Sequence, residues 1–255
     1  MNITKEFIVK YYLNNLRLTK KKIKEAVSSD NLIIHTVKNI DELQKTGNLL
    51  SKRLREWYSL YNPEFTKKMD DNQKFAELVV KKEKNELLKE MGLKPSESMG
   101  AELGKKDLDE IIALAKETIS IFSLIKKHEY YLESLMKESC PNMTELAGAL
   151  IGAKLMEHAG SLKHLAEMTS STIQLLGAEK ALFRHMRTGA KSPKHGLIIQ
   201  HPFVAAAKQN EKGKTARALA DKISIAVRVD FFKGNPIGNK LKKELESKFG
   251  FSKNR

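Results

Sequence analysis

The chain has one cysteine, Cys140, so an intramolecular disulfide is excluded, as are the paired-cysteine spacings of structural zinc sites. The expectation is a reducing, cytoplasmic setting. No window approaches the roughly eighteen apolar residues of a membrane span, and "MNITKEFIVKYYL" lacks the basic start and apolar stretch of a secretory signal. Acid is scarce in the last third, where eighteen Lys and Arg stand against six Asp and Glu from position 177 onward. Between Glu179 and Glu211 there is none, while Lys180, Arg184, Arg187, Lys191, Lys194 and Lys208 are interleaved with His185, His195 and His201.

What is present fits a folded basic protein. A length of 255 residues with 41% apolar content buries a sizeable core in one or two domains. A net charge of +15 points to a polyanion, either a nucleic acid or an anionic membrane surface. The first two thirds are close to neutral, so the two parts are expected to do different jobs.

The near-neutral part is written in helical periods. Ile40, Leu43, Gly47, Leu50, Leu54, Trp57 and Tyr61 alternate steps of three and four, the spacing of a heptad seam, until Pro63. A second seam runs through Leu108, Ile112, Ala115, Ile119 and Phe122, continues at shifted phase through Ile125, Leu132 and Leu135, and stops at Pro141. Between them "KKEKNELLKEMGLKPSESMGAELGKKD" suggests a helix end, an exposed polar tip and a return. Together these predict an antiparallel coiled-coil hairpin over 36–138, with Leu50, Leu54, Trp57, Ile112, Ile119 and Phe122 among its seam residues. The alternative is that both seams pack on the body of one globular domain.

From Thr144, taken as a helix start, the texture becomes rich in Ala and Gly. Gly148, Gly152, Ala153 and Gly160 imply close helix packing or breaks between short helices. On a helical wheel Lys180, Arg184 and Arg187 fall within about 60° of one another, while Ala178, Leu182, Phe183 and Met186 take the opposite arc. That pattern predicts a helix anchored in a core by one face and presenting cations on the other. Gly177 would leave free N–H groups at the helix start, a favourable place for a phosphate. Lys191 and Lys194 follow on a loop stiffened by Pro193. A solvated face usually mixes charges to gain i,i+4 pairs, and this one does not.

These segments resemble the archaeal Nop-family core proteins of box C/D ribonucleoproteins. "GAEKALFR" at 177–184, continued by "TGAKSPKHG" at 188–196, is similar to the signature of their Nop domain. The likeness extends through "STIQLLGAEK", "SMGAELGKKDLDEI", "LTKKKIKEAV", "LLSKRLREWYSLYNPEF" and "AVRVDFFKG", covering residues 18 to 250. It implies an all-helical fold, with a coiled-coil hairpin at 36–138 followed by a compact Nop domain at 142–250 and a remnant N-terminal segment at 1–35. It also implies a non-catalytic scaffold for RNA 2'-O-methylation that dimerises through the coiled coil. The scaffold grips a box C/D-type kink-turn RNA together with the ribosomal-protein-like kink-turn-binding protein seated on it. The contacts implied are Gly177, Ala178, Glu179, Lys180, Ala181, Leu182, Phe183 and Arg184, with Arg187, Lys191, Lys194 and His195 beside them. A related spliceosomal scaffold uses the same domain on another kink-turn RNA. Family members carry about a hundred further residues before "LTKKKIKEAV", and these bind the methyltransferase fibrillarin. Only about eighteen precede it here, so either a truncated chain or a natural short form is expected, with fibrillarin in the particle and its direct contact in doubt.

Chemistry of other kinds finds little support. "HEYYL" at His128 has Leu132 where a zinc protease needs its second histidine, and His158 and His164, six apart, do not share a helix face. No P-loop, dinucleotide fingerprint or nucleophile elbow is present, and neither a metal nor a cofactor is expected. The histidines read as structural or RNA-contacting, with stacking of His185, His195 or His201 on an unpaired base the functional version. The competing function is a general helical nucleic-acid binder or dimerising module with no need of a pre-bound protein. Membrane binding ranks third.

Overall fold

The computed structural model describes residues 5–249, and every regular element among them is helical. Two compact units divide the chain: Lys38–Tyr131, and Met1–Val37 with Leu132–Arg255. No helix of the described residues is long and apolar enough to cross a membrane.

The unit at Lys38–Tyr131 is built on parts of two long helices, α2 (Ser29–Tyr58, after α1, Lys5–Glu25) and a later one that becomes α6 (Lys105–Ser139). Asn39 Nδ2 lies 2.8 Å from His128 Nδ1, Gly47 faces Phe122, and Leu54 and Tyr58 share a core with Ile111 and Ala115. Residue numbers therefore fall on one helix as they rise on the other, so the pair is antiparallel. Within this unit the buried line of α2 is Ile40, Gly47, Ser51, Leu54 and Tyr58, and that of α6 is Ile111, Ala115, Thr118, Phe122 and Ile125. This corrects the seam expected from apolar residues alone. Leu54 and Phe122 are in it, Leu50, Ile112 and Ile119 sit at its margin, and Trp57 is 40% exposed. The line passes through two hydroxyls because each is satisfied within its own helix: Ser51 Oγ donates to Gly47 O at 2.7 Å and Thr118 Oγ1 to Leu114 O at 2.8 Å.

The segment between these helices is a folded cap rather than an exposed tip. α3 (Pro63–Lys68) starts at a proline, and its N-cap Asn62 accepts from Phe65 N; α4 (Asn72–Lys81) is capped in the same way by Asp71. Phe65 and Phe75 stack at 5.2 Å with Tyr58 edge-on to both. Arg55 lies over the Phe75 ring and donates to the carbonyls of Thr66, Met69 and Asp70 and to Asn72 Oδ1, so one planar fork ties α2 to the α3–α4 connection. α5 (Lys84–Glu90) buries Leu87 and Leu88. Lys84 is buried too, its ammonium donating to Gly100 O and Glu102 and lying over the Tyr61 ring. After a 3-10 turn at Pro95–Glu97 the chain returns at Gly100, where an added Cβ would stand 2.0 Å from Tyr61 O. The Lys-Glu composition of this stretch concealed its two buried leucines.

The second unit is a bundle of short helices: α7 (Pro141–Ala147), α8 (Ala149–Ala159), α9 (Leu162–Glu167), α10 (Ser170–Leu175), α11 (Glu179–Thr188), a 3-10 turn (Leu197–Gln200), α12 (Pro202–Ala205), α13 (Lys212–Phe231) and α14 (Gly238–Phe249). Gly250, the last residue of the expected Nop domain, lies outside the described residues. Pro141, rather than Thr144, opens α7. Both roles expected of the small residues occur. Gly152 is buried where a Cβ would meet Met136 Cε at 2.8 Å, while Gly148 and Gly160 take positive φ and separate helices.

α13 is the axis of the unit, packing on α7, α9, α10, α12 and α14 through Ala216, Leu219, Ala220, Ile223, Ala226 and Val227. Its Asp230 caps α7: the carboxylate accepts from Asn142 N (3.1 Å), Asn142 Nδ2 (2.7 Å) and Met143 N (2.8 Å). Asn142 Oδ1 in turn accepts from the amides of Ile237 and Gly238, which open α14. Cys140 is fully buried beside this network, and burial, with Asp230 and Asp30 adding to it, pushes its thiol up to about 12. The native protein is therefore expected to resist a thiol-reactive dye at pH 8 and to label once unfolded; labelling at the same rate in both states would contradict the burial.

Candidate nucleic-acid interface

The basic stretch forms one excursion from the α13-centred bundle. The chain leaves after α10 at Leu176, forms α11, turns at Gly189 and returns at Leu197. The base of the excursion is closed by backbone: Gly196 N donates to Gln174 O at 2.8 Å and Leu197 N to Leu176 O at 2.7 Å, while Gln174 Nε2 donates to Lys194 O at 2.6 Å. Glycine is required at both edges. At Gly196 a Cβ would stand 1.9 Å from Leu176 O, and at Gly177 (φ +85°) it would meet Leu197 Cγ at 2.5 Å. At the far end Gly189 takes φ +67° as the helix C-cap, and the His185 imidazole holds Ala190 O.

α11 buries no residue completely. The expected cation row is there, with Lys180, Arg184 and Arg187 all exposed, and Lys191 and Lys194 are exposed on the loop beside His195, which is half-buried. The expected apolar anchor is not. Ala178, Ala181 and Leu182 are partly covered, but Phe183 is 64% exposed and Met186 72% exposed. Hydrophobic residues on one arc show that a helix has two faces; they do not show that the second face is covered.

The helix start also differs from expectation. The Glu179 carboxylate accepts from Gly177 N at 2.6 Å and stands 3.4 Å from His158 Nδ1, so the place assigned to a phosphate already holds an anion. Desolvation pushes the Glu179 pKa up, and the Gly177 and Glu179 amides with His158 outweigh it, leaving the carboxyl below its usual range. The cations, by contrast, have no such partner. Elsewhere Lys21, Lys52 and Lys81 pair with glutamates four residues on or back, whereas Lys180, Arg184, Arg187, Lys191 and Lys194 form no ion pair among the described residues.

Two of the three interleaved histidines border the excursion, but His201 does not reach its surface. It is buried, accepting from Phe203 N at Nδ1 (3.2 Å) and donating from Nε2 to Leu146 O (3.0 Å), which removes it from any stacking role. Burial holds its pKa below the ordinary 6.5, opposed by Leu146 O and assisted by Lys242. Protonation would abolish the Nδ1 acceptor. A lowered pKa in the folded state means that the unfolded chain takes the proton first, so stability is full above pH 6.5 and falls as pH drops through that value. His201→Gln is expected to flatten the Tm profile between pH 7.5 and 5.5; a profile parallel to that of the parent chain would contradict this.

Residues 39–250 match the family model for Nop, described as "snoRNA binding domain, fibrillarin". The chain belongs to the Nop family. An uncharacterized NOP5 family protein of Methanocaldococcus jannaschii is 43% identical over 95% of this Nop chain and 62% of its own length. Nucleolar protein 56 of Schizosaccharomyces pombe is 34% identical over 91% and 52%, and that of Bos taurus 36% over 87% and 41%. This Nop protein thus spans between two fifths and two thirds of these relatives' lengths. The crystal structure of a fibrillarin/Nop5p complex shares its fold, with a TM-score of 0.57, covering 98% of this chain and 80% of that one at 24% identity.

Sequence reasoning missed Gln174, Gly196 and Leu197 as the residues that pin the Nop excursion. Pro193 and the glycines marked the loop, but a latch made of backbone amides and carbonyls leaves no trace in side-chain pattern.

Proposed function

We propose that this Nop protein is a non-catalytic scaffold of a box C/D guide ribonucleoprotein that directs RNA 2'-O-methylation. Residues 142–250 act as the Nop domain and grip the composite surface of a kink-turn RNA and the kink-turn protein already bound to it. The observation that carries this reading is the pairing on one excursion of five cations without acidic partners and two exposed apolar side chains, Phe183 and Met186. Cations suit phosphates, whereas exposed Phe and Met suit a protein surface. The contact set is 177–184 with Arg187, Lys191, Lys194 and His195. Glu179 and Gly177 act within it by shaping the helix start.

The hairpin of 36–138 serves self-association, for which Trp57 on α2 and Leu60 in the turn after it offer exposed apolar surface. The particle contains fibrillarin, in keeping with the family description and the fibrillarin/Nop5p complex. A cytoplasmic location belongs to the same reading.

Gel shifts with a kink-turn RNA, bare and loaded with its protein, test the proposal. Binding is expected to the loaded RNA, and Phe183→Ala with Met186→Ala is expected to weaken that binding while leaving any residual bare-RNA binding unchanged. Equal affinity for bare and loaded RNA would instead favour a general helical nucleic-acid binder.

A further inference from the structure

α11 lacks the usual means by which a helix holds its direction. It buries no residue completely, and the side chain of its N-cap residue, Ala178, cannot satisfy the first amides. Glu179 supplies a substitute, since its Oε1 accepts from Gly177 N at 2.6 Å and stands 3.4 Å from Nδ1 of His158. That second partner comes from outside the excursion. His158 sits in the last turn of α8, a helix seated in the bundle by Gly152, Ala153, Leu155, Met156 and Ala159. Its neighbour Ala159 is buried, so the backbone that carries the imidazole is fixed, while the side chain itself is 36% exposed.

Pairs such as Lys52 with Glu56 or Lys81 with Glu77 join residues one turn apart on a single helix and hold no two elements together. His158 and Glu179 join two. The leverage is large, because α11 extends from this point without a buried residue to correct its course. Arg187 lies about 12 Å along the axis from Glu179 at 1.5 Å per residue, so a tilt of about 20° at the helix start moves it by about 4 Å, more than a hydrogen-bond length. We propose that His158 is a positioning residue for the basic excursion: by holding the Glu179 carboxylate against Gly177 N, it sets the direction in which Lys180, Arg184 and Arg187 project. The imidazole acts through Glu179 and touches no phosphate. The tether stands apart from the RNA reading, and only its effect on binding rests on that reading.

Hydrogen exchange of the full chain without RNA tests the tether. His158→Ala is expected to speed exchange of the α11 amides about three- to fivefold while those of α13 keep their rates, because a half-exposed pair contributes little and acts locally. His158→Asn, which keeps an N–H donor near the position of Nδ1, is expected to restore most of the protection. In a Glu179→Ala chain, which has already lost the partner, His158→Ala is expected to add nothing. Unchanged exchange in His158→Ala overturns the proposal, and so do additive effects in the double variant. Gel shifts with the loaded kink-turn RNA then read the consequence: His158→Ala is expected to weaken binding about three- to fivefold with a salt slope parallel to that of the parent chain, since no phosphate contact is removed. A flatter slope would make His158 a phosphate contact and overturn the positioning role. If the parent chain fails to bind the loaded RNA while the exchange rates change as expected, the RNA reading falls and the tether stands.

Discussion

Asp230→Ala is expected to lower the Tm by about 10 °C. The Asp230 carboxylate satisfies three donors at once, the amides of Asn142 and Met143 and the Asn142 side chain, all in buried surroundings. Alanine leaves those donors without a partner, and a buried unsatisfied donor costs about 1 to 3 kcal/mol. The damage also spreads. Asn142 is held by Asp230 in the orientation that lets its Oδ1 accept from Ile237 and Gly238, so α14 loses its anchor as α7 loses its cap. About 3 kcal/mol or more, at roughly 2 to 4 °C per kcal/mol for a chain of this size, gives the expected shift. Burial raises the Asp230 pKa against the lowering pull of the same N–H groups, so part of the carboxylate's worth is already offset by desolvation. Asp230→Asn is therefore an informative second variant. It keeps the shape and one acceptor oxygen but turns an NH2 toward N–H donors, and it is expected to lie between the parent chain and alanine. A Tm within about 3 °C of the parent for Asp230→Ala would mean that water reaches the three donors.

Lys180→Ala with Arg184→Ala is expected to cause the largest functional loss while leaving the fold intact. Both side chains are exposed on a helix that buries nothing completely, so their removal creates no cavity. If each neutralises one phosphate, the slope of log affinity against log salt falls in magnitude by about 1.4 to 1.8. The variant then loses about tenfold less affinity than the parent when salt rises from about 50 to 200 mM, because less of its binding was electrostatic. Titrations of the loaded kink-turn RNA at four salt concentrations measure this directly. Parallel slopes would make the two residues solvated surface and move the RNA contact elsewhere on the domain. Changing Glu179 instead should act indirectly, since its carboxylate holds Gly177 N and faces His158 rather than projecting outward.

The helical class, the antiparallel return and the isolated basic segment were all legible in heptad spacing, proline stops and missing acids. The phase of the helix pair was not. Counting apolar residues skipped Ser51 and Thr118, whose hydroxyls are satisfied by the preceding turn, and so rotated the seam toward Leu50 and Trp57. The cap fared similarly, because Leu87 is an apolar residue in a charged run whose core cluster, with Phe75 and Tyr58, comes from earlier helices. In the candidate site, composition identified the cations but not their setting. Whether Phe183 and Met186 are covered depends on what lies opposite them, and both remain mostly exposed.

The backbone closure at Gln174, Leu176, Gly196 and Leu197 has an evolutionary consequence. Everything between those residues is carried as a side loop whose ends meet on the bundle, and α11 contributes no fully buried residue to it. Its exposed residues can therefore drift, lengthen or change charge with little penalty to the helices beneath. The nineteen residues 177–195 between Leu176 and Gly196 can be rewritten without disturbing the helices that carry them, much as a tool is changed at a fixed handle.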